Sequence, residues 1–129
     1  MALSTNNSVN TISKKKGLIT INNFPYTIND LRNACNEDRI RWSIHAMKRL
    51  RERHITRTDF KRCIFSGAII EYYPEDYRTP SCLVSGVSVA NKPLHTVSGY
   101  DGGIIYAVTA YYPSLDEWDK DFKTRRVNE

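Results

Sequence analysis

Several absences narrow this chain before any residue is read for chemistry. No apolar run approaches the roughly 20 residues that a helix needs to cross a membrane. The opening stretch MALSTNNSVNTISKKK lacks the apolar segment of a secretory signal. Cysteine is scarce: Cys35, Cys63 and Cys82 are odd in number, far apart and without a Cys-x-x-Cys. That disfavours a disulfide framework and a zinc knuckle, and points to a reducing, cytoplasmic setting. Histidine occurs only at positions 45, 54 and 95, with no His-x-x-x-His pair, so no metal or other cofactor is expected. Glycine is thin as well, and Gly102-Gly103 is too short for a loop that cradles a nucleotide. Negative charge is in deficit, 14 acids against 19 Lys and Arg, giving +5 and a pI near 9.2. An anionic partner follows: a nucleic acid, an acidic protein or a membrane surface.

The positive charge that is present is concentrated. Arg41 to Arg62, RWSIHAMKRLRERHITRTDFKR, carries eight Lys and Arg against Glu52 and Asp59, a local +6 that exceeds the whole chain's +5. Ser43 reads as an N-cap, and Ile44, Met47 and Leu50 as a narrow apolar stripe. His45, Arg49 and Arg53 stand four apart, so they form a ridge drifting by only about 40° per step. Such a ridge suits a phosphate held beside a proton-transfer group; the plainer reading is a solvated basic helix face.

At 129 residues the chain has the size of one domain, able to bury roughly two thirds of its unfolded surface. Residues 1–16 are polar and read as a flexible arm, with 17–129 as a single domain. Gly17 to Tyr26 reads as a short extended segment, and Thr27 to Asp38 as a first helix capped by Asn29 or Asp30, with Ile28, Leu31, Ala34 and Cys35 inward. Thr56-x-x-Asp59 is a capping box for a further helix that carries Phe60, Cys63 and Ile64 inward and stops at Gly67. Beyond it the period becomes alternating. Ala68–Tyr73, Cys82–Val89, Leu94–Tyr100 and Ile104–Tyr112 read as four strands joined by short turns, which implies an antiparallel meander. Ser114-x-x-Glu117 then reads as the cap of a last helix, Leu115 to about Thr124, anchored by Trp118 and Phe122. The expected class is α+β: N-terminal helices packed on a four-stranded antiparallel sheet, a short C-terminal helix, and the sheet's other face free as a concave working surface.

An ordered set of short motifs then resembles a known family. Ser43 to Thr56 spells S-x-H-A-x-x-R-x-x-x-R-x-I-T, and Gly67 to Pro74 spells G-x-I-I-E-x-Y-P. Pro93-Leu94-His95-x-Val97, Val108-Thr109-x-Tyr111-x-Pro113 and the Trp118 to Arg126 tail follow. Over residues 40–126 this is similar to the DUF4258 family, small proteins grouped with the barnase/EndoU/colicin/RelE-like ribonuclease fold. The resemblance implies helices on a four-stranded antiparallel sheet, toxin-like metal-independent cleavage or binding of RNA, and an antitoxin protein as partner.

Metal-free RNA cleavage needs a base for the 2′-hydroxyl, an acid for the 5′-oxygen and cations for the charge on phosphorus. His45 and His95 are the candidates for proton transfer, Arg49 for the charge, and Lys48 and Arg53 for phosphate. Thr109 and Tyr111 share one strand face, where a hydroxyl suits phosphate or ribose. Against each stands a structural alternative: His45 bonded to a backbone carbonyl, His95 as a satisfied core or edge residue, His54 as plain surface. Tyr72 and Tyr73 read as packing residues, Arg51 and Arg57 as solvating ones, and Trp118 as core. Two further function classes remain open, a non-catalytic nucleic-acid-binding module and a protein-interaction module using the same basic face.

Overall fold

Three helices precede most of the sheet, each opened by a hydroxyl side chain. The structure, a computed structural model, describes residues 24–127 and, ahead of them, β1 (Thr11–Ile12) and β2 (Ile19–Thr20), which pair antiparallel. Apart from those strands, the arm expected over 1–16 lies outside the described residues. Helix α1 (Ile28–Asn36) is capped by Thr27 in a reciprocal box with Asp30, not by Asn29 or Asp30 themselves. Leu31, Ala34 and Cys35 are buried as the spacing predicts.

Helix α2 (Ile44–Glu52) starts at Ser43, whose hydroxyl accepts the Ala46 amide at 3.0 Å. Its buried line differs from expectation. Ala46 and Leu50 are sealed and Met47 is half-buried, whereas Ile44 is 90 % exposed. Helix α3 (Arg57–Ser66) has the expected Thr56/Asp59 box and buries Phe60, Cys63 and Ile64. Gly67 ends it in extended backbone, not in a left-handed turn. A Cβ there would stand 2.2 Å from the Ser85 carbonyl oxygen, so glycine permits a close crossing.

The strands β4 (Ala68–Tyr73), β5 (Ser81–Val87), β6 (Pro93–Asp101) and β7 (Ile104–Tyr111) form the expected antiparallel meander. Gly102 and Gly103, with φ of +59° and +81°, turn the β6–β7 hairpin. A fifth strand, β3 (Ile40–Trp42), lies parallel to β7, with Ile40 opposite Ile105 and Trp42 opposite Ala107. The sheet is therefore five-stranded and mixed, in the order β3-β7-β6-β5-β4, and not four-stranded and antiparallel. Three residues offer no alternation to read, so β3 leaves no periodic trace.

One face of the sheet packs on the helices, through Leu50, Phe60, Ile64, Val84, Leu94 and Ile105. Trp42 meets Phe60 edge-on at 5.1 Å. The register lays the other face out in rows. One row holds Ser85, His95 and Tyr111, the next Glu71, Leu83, Val97 and Thr109, and the last Tyr73, Ser81, Gly99 and Tyr106.

That face is not free. The segment after Pro113 crosses its first two rows as a strap of turns and coil, with no helix over 115–124. The Glu117 and Trp118 amides do turn back to the Ser114 carbonyl, but the Asp121 carboxylate takes the Lys123 and Thr124 amides at 2.8 and 3.0 Å. Such local side-chain bonding competes with helix continuation. Phe122 adopts φ +56°, and a lone bridge joins Trp118 to Arg125.

Candidate functional site

The basic ridge emerges where α2 runs beside the part of β7 that short β3 leaves unpaired. Arg53, the C-cap of α2, donates through Nη1 to the Ala110 carbonyl at 2.8 Å and to Thr109 Oγ1 at 3.0 Å. It caps a free strand edge and joins the ridge to the sheet's second face in one stroke. Arg49 is half-buried and Lys48 and His45 are exposed along the same helix. His45 and Arg49 are one helical turn apart, about 6 Å along the axis, close enough to flank a single phosphate. His45 and Arg53 are about 12 Å apart and would meet different phosphates. Arg49 and Arg51 also sit in the last turn of α2, where cations complement the helix dipole. His54 is exposed at φ +59° just past the helix, as its surface reading expects.

The second expected proton-transfer group stands apart from this ridge. His95 is fully buried, with Nε2 at 2.6 Å from the Phe122 carbonyl and Nδ1 at 3.2 Å from the Tyr111 hydroxyl. A carbonyl can only accept, so Nε2 carries a proton; in the neutral ring that burial favours, Nδ1 then accepts from Tyr111. Burial lowers its pKa below the ordinary imidazole value, a tendency only partly opposed by the Phe122 carbonyl and Glu71. Trp118 packs edge-on against the ring at 4.6 Å and is itself 1 % exposed. The same burial pushes the Tyr111 phenol up to about 12. Thr109 and Tyr111 do share the expected face, but only Thr109 reaches the ridge.

Reading the sequence alone missed the group that fastens this arrangement. Glu71, 2 % exposed on β4, receives Arg125 through Nε at 2.6 Å and Nη2 at 3.1 Å, and the Tyr73 hydroxyl donates to the same carboxylate. Arg125 also lies over the Trp118 ring at 4.5 Å. Ser85 donates to the Phe122 carbonyl at 3.0 Å beside His95. The one available signal was Glu71 inside an otherwise apolar strand, AIIEYY: a carboxylate there demands a cation. Trp118 Nε1 finds no acceptor among the described residues.

Beyond the strap, Thr109, Val108 and Tyr106 leave an open strip, flanked by the exposed Arg41 opposite Tyr106 in β3. Among the described residues, no three of His, Cys, Asp and Glu gather closely enough to hold a metal ion. No helix among them is long and apolar enough to cross a membrane.

Compared with known proteins, residues 42–112 match the family model described as "Domain of unknown function (DUF4258)". No curated protein and no solved structure matches. The matched region ends before the strap, so Trp118, Phe122 and Arg125 lie outside it.

Proposed function

The chain belongs to the DUF4258 family, and on that premise we propose that it is a metal-independent endoribonuclease of toxin type, built on a barnase/EndoU/colicin/RelE-like scaffold. The observation that carries the reading is the reach of Arg53 from the exposed ridge to Thr109, which makes helix and strand one cationic surface. An RNA phosphate lies between Arg49 and His45, with Arg53 and Lys48 on its neighbours. His45 exchanges the proton. The 2′-oxygen attacks phosphorus, the 5′-oxygen leaves with a proton, and a 2′,3′-cyclic phosphate and a 5′-hydroxyl end result.

One observation favours a second reading, a non-catalytic RNA-binding module. Both His95 nitrogens are engaged under the strap, which leaves His45 as the ridge's own imidazole. An acidic antitoxin-like protein covering the ridge is compatible with either reading, by charge complementarity.

Incubation with RNA in EDTA separates them. Nuclease function predicts cyclic-phosphate ends, no cleavage of a strand carrying 2′-deoxyribose at the scissile position, and loss of product by 10²-fold or more in His45→Ala, on the order expected for a general acid–base group. Intact RNA bound with steep salt dependence and indifferent to His45→Ala would leave only the binding module.

A further inference from the structure

At the end of the second face away from the strap, the connection between β4 and β5 stands over the β6–β7 hairpin and encloses an open cleft of about 530 Å³. That is the size of a small-ligand site. Tyr77 is 93 % exposed at its rim, and Tyr106 and Val108 on β7 are 39 % and 46 % exposed along its wall. An aromatic ring left that bare contributes nothing to the core and asks for another account.

The connection carrying Tyr77 is fastened on one side of it and braced on the other. Thr79 Oγ1 donates to the Tyr100 carbonyl at 3.0 Å, and Tyr26 donates to the Pro80 carbonyl at 2.8 Å. Ser81 donates to the Asp76 carboxylate, which ties the near side of the loop to the start of β5. Gly99 lets the loop lie flat: a Cβ there would stand 2.7 Å from the Thr79 methyl. Tyr77 and Arg78 are thus held out over the sheet by contacts that do not involve their own side chains, apart from the loose approach of Arg78 to the Tyr77 ring at 6.0 Å.

We propose that this cleft takes one unpaired nucleotide of an RNA strand, its base against Tyr77 and Tyr106 and its phosphate toward Arg78. The proposal rests on the RNA-directed reading above and extends it to a base-binding subsite. The cleft's charges are Asp76, Asp101 and Arg78, with Arg41 beside Tyr106 across the β3–β7 pair. Asp76 is occupied by Ser81, whereas the Asp101 carboxylate makes no hydrogen bond among the described residues and is placed to accept from an exocyclic amino group. A planar ring joined to an anion uses both phenols and the guanidinium at once; a duplex, with its bases stacked inward, uses neither ring. Thr109 lies three residues along β7 from Tyr106, about 10 Å, so one strand can touch ridge and cleft together.

The test uses the full chain and a fluorescein-labelled hexamer of 2′-O-methyl cytidine, which binds without being cleaved, against the same strand in a duplex. Tyr77→Ala and Tyr106→Ala, both at exposed positions, should each weaken single-strand binding from about fivefold to about a hundredfold, the range of a lost base–aromatic stack. Duplex binding and the melting temperature should not change. Asp101→Asn should narrow the preference for the cytidine hexamer over a uridine one. A wild type whose binding falls in Arg53→Ala but not in either tyrosine variant overturns the cleft and leaves the ridge standing. A wild type that binds no hexamer even at low salt overturns the RNA-directed reading, and the cleft with it.

Discussion

His95 is the residue whose environment departs furthest from what its type suggests. Held neutral by burial, it refuses a proton that the unfolded chain accepts near its ordinary pKa of 6.5. Its contribution to stability is therefore whole above about pH 6.5 and is lost as pH falls through the lowered folded-state value. Glu71, Arg125 and Tyr111 face the same pocket, so the slope belongs to the ring and its neighbours together. Urea midpoints recorded from pH 7.5 to 5 should fall steadily in the wild type, and His95→Gln should flatten that fall. The pair beside it behaves differently. Arg125→Ala strands the Glu71 carboxylate in the interior and should cost about 3–5 kcal/mol, whereas Glu71→Met with Arg125→Leu together should cost far less. A double-mutant cycle in denaturant reads the difference, and equal costs would mean that the carboxylate finds water. Glu71 in its apolar strand calls for a cation, but nothing local names Arg125 as that cation, because 54 residues separate the two.

At the scale of elements, the strongest local signals were the truest. Asp59 not only completes the α3 capping box but also accepts the Val89 amide at 2.9 Å, tying the helix start to the beginning of the β5–β6 turn. Asp59→Ala should therefore exceed the usual loss of about 1 kcal/mol for a cap, approaching 2–3 kcal/mol as the Val89 amide is left unpaired. Thermal melts against Thr56→Ala, which loses the cap alone, measure the excess. Capping boxes, hairpin glycines and alternating strands could be read in the sequence because each is decided within four to eight residues. The strap could not. Ser114-x-x-Glu117 and the Trp118/Phe122 spacing are sound helix signals, but the His95 imidazole and the Glu71 carboxylate draw Phe122 and Arg125 down onto the sheet. Trp118 lies across the covered rows, so Trp118→Ala should cost about 3–5 kcal/mol. Ile44 misled for a related reason: Ala46, with its small side chain, is what lets α2 settle against the sheet.

For the molecule as a whole, the basic ridge of α2 lies outside and the thiols lie inside. Burial pushes Cys35 up to about 11 and Cys63 and Cys82 up to about 12, and all three are free. A disulfide-exchange reagent should find no fast-reacting thiol in the native protein and three once it is unfolded in urea. If the ridge engages RNA through Lys48, Arg49 and Arg53, log K against log salt should fall with a slope of about −2, less steep by about 0.7 in Arg49→Ala. The α+β class and the location of the basic surface were legible from patterning and charge. Which half of the sheet lies open was not, because it depends on where a coil comes to rest.

The position of β7 has a consequence for how the molecule is made. It is the last of the strands to leave the ribosome, yet it lies between β3 and β6. From the completion of β3 at Trp42 to the first residue of β7 at Ile104 the ribosome adds 62 residues, roughly 3–12 s of translation. Through that interval α2 lacks the strand it packs against, and once β6 is complete it offers a bare edge to any passing chain until β7 follows. Slow codons or a stall before Ile104 would lengthen the exposure, and the arrival of a single eight-residue segment ends it.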